Sequence, residues 1–223
     1  MRPHTVSAYF VRIFCPHQFD ELIAFYRDHG ATPRVRVTPY QNQSLIQGLS
    51  KRGFTLYDTE TVLARDVDAS TNLNVPNGLS FHRVDPSKPD DVDAFLKAHI
   101  GGFYEGGEPS APMRSIMRRM IALERVTLWL VTHKGTILAS GGLETYDDAG
   151  VLICGSVLPA HRQQGIHSAL LAFRVEEAAK RGLDYVTIGS APGATSERNA
   201  LRAGFSPVYT ELGLEQREIV TLA

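Results

Sequence analysis

Along this chain the spacing of apolar residues switches repeatedly between two and about 3.6, and each switch marks an element. Alternation over 7–13 predicts a strand. A helical stripe follows over 19–29 and ends near Gly30; 34–38 alternates again, a second helix spans 43–51 up to Gly53, and 54–65 returns to strand. Residues 70–78, Ser-Thr-Asn-Leu-Asn-Val-Pro-Asn-Gly, are turn formers with little to pack and read as a linker. Beyond it, 79–84 predicts a strand and 89–100 a helix with Val92, Phe95, Leu96 and His99 on one face. The glycine-rich run 101–109 reads as a flexible loop. A helix over 110–123 carries Met113, Ile116, Met117, Met120 and Ile121 on its apolar stripe, with Arg114, Arg118 and Arg119 opposite. Strands over 126–133 and 136–146 form a hairpin turning at Lys134-Gly135. A strand over 151–158, a helix over 166–181, a strand over 185–189, a short helix over 196–203 and a strand over 205–212 complete the pattern.

This order divides the chain into an α/β segment over 1–75 and a larger domain over 78–223. Leu49 to Phe54 and Leu201 to Phe205 share one arrangement, a helix, then Gly-Phe, then a strand. A degenerate half-copy of one fold and two unrelated helix ends both fit that echo. With 223 residues, the chain is long enough to bury a substantial core.

Composition narrows the function by exclusion. Lys and Arg total 23 against 24 Asp and Glu, so no global field selects nucleic acid or an anionic membrane. No run approaches the roughly 18 apolar residues of a spanning helix, and the N-terminus has no apolar export region. Cys15 and Cys154 sit in apolar runs without a CxxC partner, so reduced, packed thiols are expected, and no metal site. A soluble cytoplasmic protein is the expectation.

The chemistry concentrates at Val157-Leu158-Pro159-Ala160-His161-Arg162-Gln163-Gln164-Gly165-Ile166-His167-Ser168. An apolar strand ends at Pro159, a polar loop closes on Gly165, and an amphipathic helix starts at once. Successive backbone N–H groups then surround one point at the positive end of a helix dipole, which favours a phosphate.

The order strand, two helices, three antiparallel strands, helix, strand, helix, strand over 79–212 resembles the GNAT superfamily of acyl-CoA-dependent N-acetyltransferases. So does Val157-Leu158-Pro159 followed by Arg162-x-x-Gly165-x-His167; the family favours glycine or alanine where His167 stands. The resemblance implies a mixed α/β (α+β) fold, a mostly antiparallel sheet flanked by helices. It implies acetyl-CoA as co-substrate, a small-molecule or peptide amine as acceptor, and direct attack of that amine on the thioester. No metal is expected, and a homodimer is left open. By the same resemblance Arg162, Gln163, Gly165, Ile166, His167 and Ser168 offer N–H groups to the CoA pyrophosphate. Val157 and Leu158 pair with the pantetheine arm where the fourth strand of the fold splays from the fifth, and Asn199 bonds the pantetheine amides.

Catalytic groups are less marked. A glutamate that some family members carry on the fourth strand falls at Val151, and a frequent tyrosine falls at Ala200. Glu144 is the substitute base and Tyr209 the candidate acid for the leaving thiolate; a solvated strand-end carboxylate and a packed aromatic fit the same two residues. The expected activity is N-acetyl or short N-acyl transfer. The alternative is a catalytically silent acyl-CoA-binding or regulatory module.

Overall fold

The computed structural model describes residues 16–67, 76–103 and 111–217. The strand expected over 7–13, Cys15 and most of the linker lie outside these residues. The chain forms two compact units, Met1–Val62 with Tyr209–Ala223, and Leu63–Val208.

The first unit holds α1 (Pro16–Asp28), β1 (Arg34–Val37), α2 (Gln43–Ser50), the first part of β2 (Phe54–Asp66) and most of β8 (Ser206–Gln216). Asn42 caps α2 by accepting from the Ser44 N–H at 2.9 Å. The strand order is β1, β8, β2, with β1 antiparallel to β8 from Arg34↔Glu215 to Val37↔Leu212. Phe19, Ile23 and Tyr26 of α1 and Leu45 and Leu49 of α2 pack with Val35, Val37, Phe54 and Leu214 of the strands. β8 runs past the strand expected over 205–212, because its continuation to Gln216 pairs with β1.

The second unit continues from the end of β2 through β3 (Leu79–Arg83), α3 (Pro89–Phe103), α4 (Ala111–Ile121), β4 (Val126–His133), β5 (Thr136–Tyr146) and β6 (Ala149–Val157). After these come α5 (Ile166–Lys180), β7 (Tyr185–Ser190) and α6 (Thr195–Arg202). Its strand order is β2, β7, β6, β5, β4, β3. Pairing is antiparallel from β3 to β6 and parallel between β6 and β7, as the mixed, mostly antiparallel fold class requires. All of β4 except His133 is buried, because helices cover both of its faces. Leu128 and Leu130 pack with α3 and α4, whereas Trp129 and Val131 pack with the side that carries α5.

The 101–109 run differs from expectation at its start, since α3 continues through Gly101, Gly102 and Phe103. A Cβ at Gly102 would lie 2.6 Å from Ser156 Cβ, and one at Gly101 3.0 Å from Leu158 Cδ2. These glycines let a helix approach β6; they do not loosen a loop.

Glycine meets the same demand in the sheet. A methyl on Gly142 would enter Leu128 and lie 3.0 Å from Ile153 Cγ1 and 3.2 Å from the Thr127 carbonyl. Gly142→Ala is therefore expected to cost about 1–3 kcal/mol through overpacking, read as a lower urea midpoint.

Candidate active site

Between β5 and β6 the register slips. Ser140 faces Ser156, but Gly142 faces Ile153, so Cys154 and Gly155 together oppose Gly141. Cys154 takes φ +55° to make this bulge. A bulge bends and twists its strand, and β6 meets β7 over three rungs, Ala149↔Tyr185 to Val151↔Thr187. Beyond Val151 the remaining edge of β6, up to Val157, shares no rung with β7. The splay expected from the sequence is there, with main-chain groups along one side that an extended ligand can pair with.

At the end of this edge Pro159–His161 forms a short 3-10 turn, Gln163 takes φ +63° and Gly165 φ +76°, and α5 begins at Ile166. Among the described residues, the N–H groups of Gln163, Gln164, Gly165, Ile166, His167 and Ser168 make no hydrogen bond; the first intrahelical one is Ala169 N–H to the Gly165 carbonyl, 3.0 Å. Six successive donors at a helix N-terminus form a cradle for an anion. Arg162 is used differently. Its N–H bonds the Pro159 carbonyl at 3.3 Å, and its guanidinium reaches the Val157 and Gly102 carbonyls at 3.4 and 2.9 Å, tying the loop to the end of α3.

His167 turns away from the cradle toward α6. Its Nδ1 lies 3.2 Å from Asn199 Nδ2, and Arg202 donates to Asn199 Oδ1. Because Oδ1 is taken, the amide nitrogen faces the ring, so Nδ1 accepts and the proton sits on Nε2. Asn199 is buried and thus locks loop to helix. Burial, and secondarily the Arg174 charge, push His167 down to about 4. An unfolded histidine titrates near 6.5, so the unfolded chain binds the extra proton between those values. Stability is expected to fall as pH drops from about 6.5 to about 4, by about 2 kcal/mol at pH 5 from this residue. His167→Gln should remove that portion, measured by urea unfolding at pH 7 and pH 5.

One further side chain holds the bulge, from the α5 face of the sheet. Arg174 of α5 is fully buried and donates to the Ile153 and Gly142 carbonyls at 3.1 and 3.3 Å and to the Leu170 carbonyl at 3.1 Å. Burial lowers it to about 10, which leaves it charged at neutral pH. On the other face α3 packs against β6, and burial lowers the proton affinity of its His99 imidazole. Burial pushes the Cys154 thiol up to about 12, with Arg174 opposing, so this cysteine is no thiolate nucleophile.

A family model described as the acetyltransferase (GNAT) family matches residues 94–205, from α3 to the residue before β8. The chain belongs to the GNAT acetyltransferase family. Solved structures agree at the level of fold. A GCN5-related N-acetyltransferase from Kribbella flavida superposes with a TM-score of 0.67 at 16% identity, covering 91% of this chain and 75% of that one. Another from Sphaerobacter thermophilus gives 0.64 at 18%, covering 92% and 68%. A tandem GNAT protein from the clavulanic acid biosynthesis pathway gives 0.63 at 15%, covering 91% and 70%. No curated protein matches the chain. GNAT acetyltransferases use acetyl-CoA as co-substrate. Among the described residues, no group of three His, Cys, Asp or Glu stands close enough to hold a metal, and no helix is long and apolar enough to cross a membrane.

In this GNAT domain Val157, Leu158, Arg162, Gln163, Gly165, Ile166, His167, Ser168 and Asn199 come together around the loop. Glu144 does not join them. It faces Val151, five residues along β5 from the Ala139↔Val157 pair, about 17 Å at strand spacing. Its carboxylate accepts from Arg125 and from the Tyr146 hydroxyl, both at 2.7 Å. Tyr209 belongs to the first unit, where its ring meets Tyr40 edge-on at 5.8 Å and burial raises its phenol. Sequence reasoning missed the role of Arg174. The signal was present: a lone arginine on the apolar stripe of α5.

Proposed function

We propose that the second unit binds acetyl-CoA along the free edge of β6 and transfers its acetyl, or another short acyl group, to an amine by direct attack. The observation that carries this reading is the row of six unpaired N–H groups from Gln163 to Ser168, at the end of a strand edge that β7 has left. The cradle accepts the pyrophosphate, Val157 offers its main chain to the pantetheine, and Asn199 stays fixed by Arg202 and His167; Leu158, the other residue expected there, already donates its N–H to the Leu138 carbonyl and accepts from the His161 N–H, both at 2.9 Å. A main-chain N–H near Val157 is the candidate donor to the thioester oxygen as charge develops there; such donors are worth about 3 kcal/mol in known enzymes. Glu144 and Tyr209 remain candidate proton-transfer groups. Its bonds to Arg125 and Tyr146 occupy the Glu144 carboxylate and speak against it as the base. The raised phenol of Tyr209 keeps it protonated, as an acid must be.

The engagement of Glu144 also favours the second reading, a silent acyl-CoA-binding module. Thermal shift with acetyl-CoA, CoA and NAD tests binding: stabilisation by the CoA species alone is expected, and none from them sinks both readings. Thiol release from acetyl-CoA across a panel of amines separates the two, since acceleration by no amine, with CoA bound, leaves the silent module.

We further propose a cytoplasmic setting, and that 1–75 is a degenerate GNAT half. The named tandem architecture of one structural neighbour supports the half-copy. So does the shared arrangement at α2–Gly53–Phe54–β2 and α6–Gly204–Phe205–β8, where both phenylalanines are buried.

A further inference from the structure

We infer that Arg174 supplies the positive charge against which the CoA sulfur becomes a thiolate, so that the leaving group departs as an anion beside the β6 bulge; this rests on the acyl-transfer reading above. Three observations carry it. The guanidinium is fully buried, and among the described residues no carboxylate pairs with it. Its Nη1 serves the Ile153 and Gly142 carbonyls, whereas Nη2 is buried without a hydrogen-bond partner, and a Cβ on Gly155 would lie 3.2 Å from that free nitrogen. Finally, solvent reaches the strand at this point: Ile153, Cys154 and Gly155 are partly exposed, while Leu152, Ser156 and Val157 on either side are buried. The exposed stretch belongs to the part of β6 that shares no rung with β7, and a residue without a side chain is what separates it from the cation. A buried charge without a counter-ion is costly, and a buried donor with nothing to meet is rare. Both make sense where the counter-charge arrives with the substrate and develops only in the reaction.

The run of the cofactor brings the sulfur here. The Leu158 N–H bonds the Leu138 carbonyl of β5, so by antiparallel alternation the Val157 N–H and carbonyl point away from β5, to the side that β7 has left. With the pyrophosphate in the cradle beyond Pro159, a pantetheine that pairs at Val157 runs back along β6 and carries its sulfur toward Gly155. In the step itself the amine lone pair bonds to the acyl carbon, and the carbon–sulfur bond breaks with its pair on sulfur. The nitrogen's proton passes to solvent, from which the thiolate later takes one, so no side chain has to protonate the sulfur as it leaves. Around the guanidinium, Cys154 of β6 holds its proton up to about 12 and His167 of α5 is neutral above about 4. On the elements packed against α5, Glu144 of β5 is paired with Arg125, Glu197 and Arg198 of α6 bond Gly193, Arg202 bonds Asn199, and Tyr185 of β7 is exposed.

The test uses the full chain, titrated in a calorimeter with CoA and with desulfo-CoA, which lacks only the sulfur. In the wild type the ratio of the two affinities is expected to shift about five- to tenfold in favour of CoA from pH 6 to pH 9. A thiol beside a buried cation ionises below the ordinary range near 8.5, and Arg174 keeps its charge over that interval. Arg174→Gln retains an amide donor for the bulge carbonyls but has no charge. Its ratio should stay flat with pH, and with the best amine of the panel its kcat should fall about 10²-fold. A purely structural Arg174 would instead lower both affinities together and leave the rise in place in the variant. That result overturns the inference. So does a wild-type ratio that is flat from pH 6 to pH 9, which needs no variant to fold. In both cases acyl transfer still stands if the amine panel shows turnover. If neither titrant binds, the acyl-CoA reading falls and this inference falls with it.

Discussion

Gly165→Glu is expected to abolish the stabilisation that CoA confers on the protein, about 2.7 kcal/mol at a ligand concentration a hundred times the dissociation constant. Two effects contribute and can be separated. At φ +76° any side chain strains the backbone, which costs about 1–2 kcal/mol whether or not ligand is present. Glutamate adds a negative charge beside N–H groups that would otherwise receive a pyrophosphate. Gly165→Ala carries the strain without the charge, so it should melt earlier than the wild type yet keep most of the CoA response. Differential scanning fluorimetry of the three proteins with and without CoA reads both effects. An undiminished CoA shift in Gly165→Glu would move the phosphate site away from this loop.

Arg174→Met is expected to destabilise the protein by about 3–5 kcal/mol, a large part of the 5–15 kcal/mol that holds a typical domain together. The sign needs argument, because removing a buried charge can also stabilise. Here no carboxylate is paired with it; the guanidinium serves carbonyl groups, and the Ile153 and Gly142 carbonyls lose a donor when it goes. Each buried carbonyl left unpaired costs about 1–3 kcal/mol, and methionine returns the packing volume but no donor. Urea unfolding at pH 7 measures the difference. A loss below about 1 kcal/mol would mean that the bulge carbonyls find other donors. Because the bulge bends β6 away from β7, the variant should also weaken CoA binding in the same titration.

The alternation and helical stripes from β3 to α6 were readable because each arises from neighbours in sequence. The two-residue turns at Lys134-Gly135 and Asp147-Asp148 fixed two hairpins locally in the same way. The misreadings come from contacts that sequence spacing does not encode. Gly101 and Gly102 look like loop formers until Ser156 and Leu158 approach them. His167 looked out of place in a small-residue position because its partner, Asn199, is 32 residues away. The loop itself was legible, since a strand, a glycine and a helix in that order are enough to align N–H groups. The proton-transfer groups were not. Glu144 has a suitable side chain, yet its rung on β5 sets it far from the loop.

The first unit draws its strands from distant parts of the chain, and this gives its assembly a timetable. Arg34 of β1 meets Glu215 of β8 across 181 residues. A ribosome adding about 5–20 residues per second leaves Val35 and Val37 without that partner strand for roughly ten to forty seconds. Over the same interval β3, β4, β5 and β6 emerge beside their own neighbours, each within a few seconds of the last. The GNAT unit can therefore mature on the ribosome while its companion still waits, and β1, with valines alternating with arginines, is the strand whose apolar face a chaperone would find uncovered longest.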